Sequence, residues 1–269
     1  MAANVGILPW SAGSGTTAPR LFTASELTLA QRVDAVSMMR FNTPGGTLAP
    51  YYARHGDGGL LAATDLIPAA GSWMPYLYST NPHPDVVAGQ DGNFKLVADN
   101  ASKGGLLSAA AVTFNNADFT LYGLFDSATG DYNALIGGND GTAAWSIGNS
   151  GADNKLYLQL NGVNQTGASA ATQSGQVHCY VWQYTAATKR HQVWVNGTLL
   201  INYTAAAAPA KTDGRIRLCG QTTSTSGNSI SNMMNGATYA AGLFGSANAA
   251  IPPLIYQMAK ELMPLRTFP

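Results

Sequence analysis

From about residue 93 onward, apolar and polar positions alternate with a period of two, and clusters of Gly, Asn, Asp and Ser interrupt the alternation. Phe94, Leu96 and Ala98 alternate, as do Phe119, Leu121, Gly123 and Phe125. A period of two puts successive side chains on opposite faces of a strand. The same signal recurs over 132–136, 145–148, 156–160, 177–184, 192–195, 199–203, 215–219 and 239–244. Turn-forming clusters, Gly137-Gly138-Asn139-Asp140-Gly141 and Asn149 to Asn154, lie between two pairs of these runs. Asn196-Gly197 is the strongest hairpin signal, because a type I′ turn needs positive φ at both central residues. About ten short strands at near-regular spacing predict an all-β, antiparallel jelly-roll sandwich.

Upstream the pattern differs. Residues 1–22 are rich in Gly, Ser, Thr and Pro and read as an extended arm. Thr23 and Glu26 then match a capping box. Leu27, Ala30, Val33 and Val36, with Leu29, follow at helical spacing, so a helix is expected from about Ala24 to Met39. Residues 40–92 carry much of the proline, with aromatics interspersed. At the other end, Pro252-Pro253 fit a first helical turn, where missing N–H groups cost nothing. Ile255, Met258, Ala259 and Leu262 form one stripe, which is expected to pack on the sandwich, and Pro264 ends the helix. The expected organisation is an N-terminal docking arm over residues 1–92 and a sandwich with a C-terminal helix over residues 93–269.

Four segments carry a family resemblance. Gly175-Gln176-Val177-His178-Cys179-Tyr180-Val181-Trp182-Gln183-Tyr184, then a polar turn, then His191-Gln192-Val193-Trp194-Val195-Asn196-Gly197-Thr198-Leu199, resembles the laminin G-like (concanavalin A-like lectin) domain. Arg215-Ile216-Arg217-Leu218-Cys219-Gly220 and Tyr239-Ala240-Ala241-Gly242-Leu243-Phe244 are similar to two later strands of that family. The resemblance spans roughly 93–262. It departs from the family at Val177, where a tryptophan is usual, and in a closing strand without its acidic residue. The family's calcium ligands would correspond to Asp126, Asp131, Asp140 and Asp153. All four fall in expected turns, where aspartate is also explained by hydrogen bonds to its own backbone. No metal or other cofactor is expected.

Composition narrows the function. Charged residues are 10% of the 269, and Lys plus Arg balance Asp plus Glu at 14 each. Ordinary soluble domains carry about 25% charge. A neutral chain has no overall footprint for nucleic acid or for anionic lipid. No run reaches the length of a membrane span. The opening residues lack a basic and an apolar region, so a secretory signal is not expected. Cys179 and Cys219 could form a disulfide or a metal pair, and the expectation is two small buried hydrophobes.

Chemistry is sparse. Retaining glycosidases of this fold need two facing carboxylates, yet the sequence has no glutamate between Glu26 and Glu261. No enzymatic activity is expected. Low charge suits permanent burial in an assembly, and domains of this type also occur in tailed-bacteriophage structural proteins. The resemblance therefore implies a virion component on the capsid or tail surface, synthesised in the host cytoplasm. Such a component would be homo-oligomeric and would contact other virion proteins through Trp10, Phe22, Leu27, Val33, Tyr51, Tyr52 and Trp73. The alternative is a carbohydrate-binding module. Its glycan would stack on Trp145 and hydrogen-bond Asn139, Asp140, Asn149 and Asn154. Trp182 and Trp194 are further stacking candidates, each equally explained as sandwich core or outer-face packing.

Overall fold

The structure is a computed structural model that describes residues 23–40, 52–54, 60–62, 73–75, 85–98, 106–108, 112–113, 117–127, 133–139, 145–149, 155–160, 163–165, 176–207, 213–218, 236–266 and 268. Helix α1 (Ala24–Ala30) comes first. Strands β1 (Ala35–Arg40), β2 (Tyr52–Arg54), β3 (Leu60–Ala62), β4 (Trp73–Pro75), β5 (Asp85–Ala88) and β6 (Phe94–Ala98) follow. Then come β7 (Leu106–Ser108), β8 (Val112–Thr113), β9 (Phe119–Ser127), β10 (Asn133–Asn139), β11 (Trp145–Asn149) and β12 (Leu156–Leu160). The last strands are β13 (Val163–Gln165), β14 (Val177–Thr185), β15 (Arg190–Val195), β16 (Thr198–Thr204), β17 (Asp213–Leu218) and β18 (Gly236–Phe244), before helix α2 (Ile251–Leu262).

These strands form two sheets. One has ten strands, in the order β16-β15-β14-β9-β18-β1-β2-β3, with β6 also on β18 and β5 on β6. The other has eight, in the order β13-β12-β11-β10-β17-β7-β4, with β8 on β17. Neighbours pair antiparallel, as in β14 against β9 and β10 against β17.

The ten-stranded sheet is covered on both faces. Inward, Leu121, Phe125, Tyr180, Trp182 and Val193 meet Leu135, Ile136, Ile147, Leu156 and Leu158 of the other sheet. Outward, Tyr122, Leu124, Cys179, Val181 and Phe244 meet Leu29 of α1 and Ile255, Met258 and Leu262 of α2. The molecule is thus three layers deep: sheet, sheet and helix pair. Strand β14 is buried at its first eight positions for this reason. Each large apolar side chain so enclosed contributes about 1.5–3 kcal/mol. The stripe Ile255, Met258, Ala259 and Leu262 is buried against the sandwich, as its spacing predicts.

Polar groups fix the helices to the sheet. On β14 and β9, Gln183 Nε2 donates to Thr120 Oγ1 and to the Asn248 carbonyl, and Thr120 Oγ1 donates to the Ser246 carbonyl. These bonds hold the segment that leads into α2. At the far end, Asn93 Nδ2 donates to the Leu262 carbonyl at 2.8 Å, which satisfies one of the open acceptors of the last turn.

The expected helix from Ala24 to Met39 is corrected: helix stops at Ala30 and β1 begins at Ala35. The Thr23–Glu26 capping box is present. Beyond it, Arg32 clamps Asp34 through two bonds of 2.8 and 2.7 Å, the Asp34 carbonyl accepts from Gly245 N–H, and Ser246 Oγ donates to Asp34 Oδ2. The chain is thereby aimed along β18, where Met38 pairs with Gly242 and is buried. A short helix in water is marginal, so strand pairing and burial win. Val33, which the helical stripe would bury, is 94% exposed. Strands β1, β2, β3 and β5 therefore put parts of residues 1–92 into the same sheet as β9, β14 and β18.

Candidate functional site

A groove forms where the β15–β16 hairpin meets the start of α2. The hairpin turns at Asn196 (φ 51°) and Gly197 (φ 81°), as expected of Asn-Gly. Asn196 is buried, and both ends of its carboxamide are hydrogen-bonded. Its Oδ1 accepts from Cys179 N–H at 2.9 Å, and its Nδ2 lies 2.8 Å from His178 Nδ1. Its own N–H donates to the Cys179 carbonyl at 2.9 Å. The turn is thus tied to β14 in the manner of an added residue of strand.

Helix α2 approaches this turn closely. A Cβ on Gly197 would lie 2.7 Å from Tyr256 Cδ1, so only glycine lets the ring settle there. Tyr256 is held by Phe268, edge-on at 5.9 Å, and by the Lys260 ammonium, 4.8 Å from the ring centre. Trp194 stands on the helix side of β15 and packs against the outer cluster with Tyr256. Trp194, Gly197, Thr198 and Tyr256, with Asn196, Pro252 and Pro253, line a groove of about 240 Å³. It offers aromatic and proline C–H surface, a threonine hydroxyl and a phenol. Two near-planar rings and two neutral hydroxyl-bearing side chains suit a flat, amphipathic ligand.

The two tryptophans left open by sequence now separate. Trp182 pairs with Val193 and Trp194 with Val181, so the two rings point to opposite faces. Trp182 is core, and its Nε1 donates to His191 Nδ1 at 3.2 Å. Burial pulls His191 down to about 4. Burial also pushes the Cys179 thiol far above its ordinary range. Neither group is poised for surface chemistry. Cys219 lies outside the described residues.

The other sequence candidates are placed as follows. Asn139 ends β10 and Trp145 begins β11, with Trp145 opposite Gly138, so these two share one end of the hairpin. Asn149 lies at the other end, opposite Asn133 and Leu156. Four residues of strand, about 13 Å, separate Trp145 from Asn149. Asn139 and Asn149, expected in turns, are strand residues. Asp140 and Asn154 lie outside the described residues. Of the assembly candidates, Leu27 is on α1 and 37% exposed, and Val33 follows α1. Tyr52 lies in β2 and Trp73 in β4, while Trp10, Phe22 and Tyr51 are outside the described residues. Asp126 is in β9, opposite Val177 and Ala237 rather than in a turn. Asp131, Asp153 and Asp140 are not described. Sequence reasoning weighed Trp194 only as one stacking candidate and missed Tyr256, Gly197, Thr198 and the two prolines. The Asn-Gly turn was visible, but nothing local says that α2 returns to it.

No protein-family model and no curated protein sequence matches the chain. Solved structures do match. Domain 4 of AbnA, a GH43 extracellular arabinanase from Geobacillus stearothermophilus, in complex with arabinotriose, is 11% identical with a TM-score of 0.53, over 70% of this chain and 88% of that one. The binding domain of Botulinum neurotoxin DC in complex with rat synaptotagmin II is 11% identical with a TM-score of 0.51, over 78% and 51% of the two chains. The Ruminococcus gnavus IT-sialidase CBM40 bound to alpha2,3 sialyllactose is 12% identical with a TM-score of 0.43, over 53% and 82%. The likeness is one of fold: an antiparallel jelly-roll sandwich with two short helices.

Proposed function

We propose that this chain is a carbohydrate-binding, lectin-like module and that a sugar docks in the Trp194–Tyr256 groove. The carrying observation is the groove itself, an aromatic wall beside a neutral hairpin turn. A sugar ring has an apolar C–H face and a polar rim, and that wall with Thr198 at its edge complements both. The arabinotriose-bound neighbour supports the reading, since its sandwich covers most of the same architecture. Of the two functions raised by sequence, virion component and sugar binding, this is the one the groove and that neighbour favour. The chain's two glutamates are used in the helix pair: Glu26 caps α1 and Glu261 accepts from Ser25. Titrating the full chain with a panel of oligosaccharides that includes arabinotriose, followed by tryptophan fluorescence, tests the proposal. A saturable change that weakens about tenfold or more in Trp194→Ala supports it. A flat response across the panel rejects it.

A further inference from the structure

Resting on the carbohydrate-binding reading, we infer that the Trp194–Tyr256 groove takes a single uncharged saccharide ring and discriminates against acidic sugars. Size is the first reason. At about 240 Å³ the groove falls below the roughly 300–1,000 Å³ of sites that enclose a drug-sized ligand. It has room for one ring, with the remainder of any oligosaccharide left in water.

Charge is the second reason. None of the described residues that line the groove carries a formal charge. Lys260 is not among them, and its ammonium sits over the Tyr256 ring. The one carboxamide at the site, that of Asn196, is committed to Cys179 and His178. Among the other lining side chains, the hydroxyl groups are those of Thr198 and Tyr256. A carboxylate pressed against Trp194, Pro252 and Pro253 would shed hydration and find no cation among the lining side chains, the Lys260 ammonium being occupied by the Tyr256 ring. A neutral ring lays its C–H face on the indole and keeps its hydroxyls wet, at no such cost.

A glycan array holding neutral glycans beside uronic- and sialic-acid-bearing ones tests this, probed with the full chain and with Trp194→Ala and Thr198→Lys. Wild type is expected to bind neutral glycans, with little change on added salt, and Trp194→Ala to lose about tenfold or more. Thr198→Lys, at an exposed position, is expected to recruit acidic glycans. Trp194-dependent binding of acidic glycans at equal or greater strength by wild type overturns the selectivity and leaves the sugar-binding reading standing. Neutral binding that persists in a folded Trp194→Ala overturns it as well, by placing the sugar elsewhere. If Trp194→Ala does not fold, a Thr198→Lys profile identical to wild type has the same force. Absence of any glycan binding removes the underlying reading instead.

Discussion

Glu261 on α2 accepts two hydrogen bonds from Ser25 on α1, 3.0 Å from its backbone nitrogen and 2.9 Å from its hydroxyl, across 236 positions of chain. The first turn of a helix has N–H groups without intrahelical partners. Here one is satisfied within α1 by the Thr23 cap and another by a carboxylate from α2. The chain's only two glutamates thus serve a single helix start.

Breaking this latch is expected to loosen the outer layer. Glu261→Ala should cost about 1.5–3 kcal/mol in urea unfolding, the usual range for hydrogen bonds to a charged group, and Glu261→Gln should cost less. Burial opposes ionisation of Glu261, but its bonds from Ser25 and Gln257 outweigh this, so its pKa lies below the usual carboxylate range. Its contribution is therefore full above the unfolded carboxylate pKa and is lost as pH falls through the lowered folded value.

His191 should make the fold acid-sensitive in a different window. Its folded pKa is about 4, against an ordinary 6.5. Between these values the unfolded chain binds a proton that the folded one does not, so stability falls as pH drops through that interval. At about 1.36 kcal/mol per unit the loss is on the order of 3 kcal/mol. His191→Gln, which can still accept from Trp182 Nε1, should flatten the urea midpoint between these two pH values. An unchanged slope would assign the acid sensitivity to other groups.

The turn is expected to separate backbone from side-chain effects. Asn196→Gly keeps the positive φ and loses the side-chain bonds to Cys179 and His178, whereas Asn196→Ala loses those bonds and also strains the positive φ. Ala should therefore be worse than Gly by about 1 kcal/mol. Gly197→Ala should cost about 1–3 kcal/mol, because its Cβ meets the Tyr256 ring at 2.7 Å. Tyr256→Ala in the same chain should restore part of that loss, measured as a double-mutant cycle.

Cys179 should resist thiol reagents until the sandwich opens. It is buried and its pKa is raised by burial, so little thiolate forms at neutral pH. Peptide mapping after pulse alkylation should find Cys179 unmodified in buffer and modified in denaturing urea. Fast labelling in buffer would contradict its placement beneath α2.

Much of the sandwich could be read from sequence because its signals are local. The Asn196-Gly197 turn, the Thr23–Glu26 cap and the α2 stripe each depend on residues within a few positions of one another. The end of α1 did not, because Val33 and Val36 continue a helical spacing while β1 answers to β18, about two hundred residues away. The groove was harder still. Alternation tells faces apart only when one face is wet; β14, which carries Trp182, is dry on both, and the outer face of β15, which carries Trp194, is half-buried. Trp182 and Trp194 therefore looked equivalent until the helix layer was in place. Trp145 lies near turns rich in Asn and Asp, a weaker guide to a binding face than the side on which a helix lands.

The position of β1 between β18 and β2 has a consequence for biosynthesis. β1 leaves the ribosome about two hundred residues ahead of its partner β18. At roughly 5–20 residues per second, a nascent β1 waits on the order of 10–40 s for that partner. Throughout the wait an unpaired strand edge and the apolar face of α1 are open to chaperones and to neighbouring nascent chains. Slower translation should therefore increase aggregation of this protein rather than help it fold.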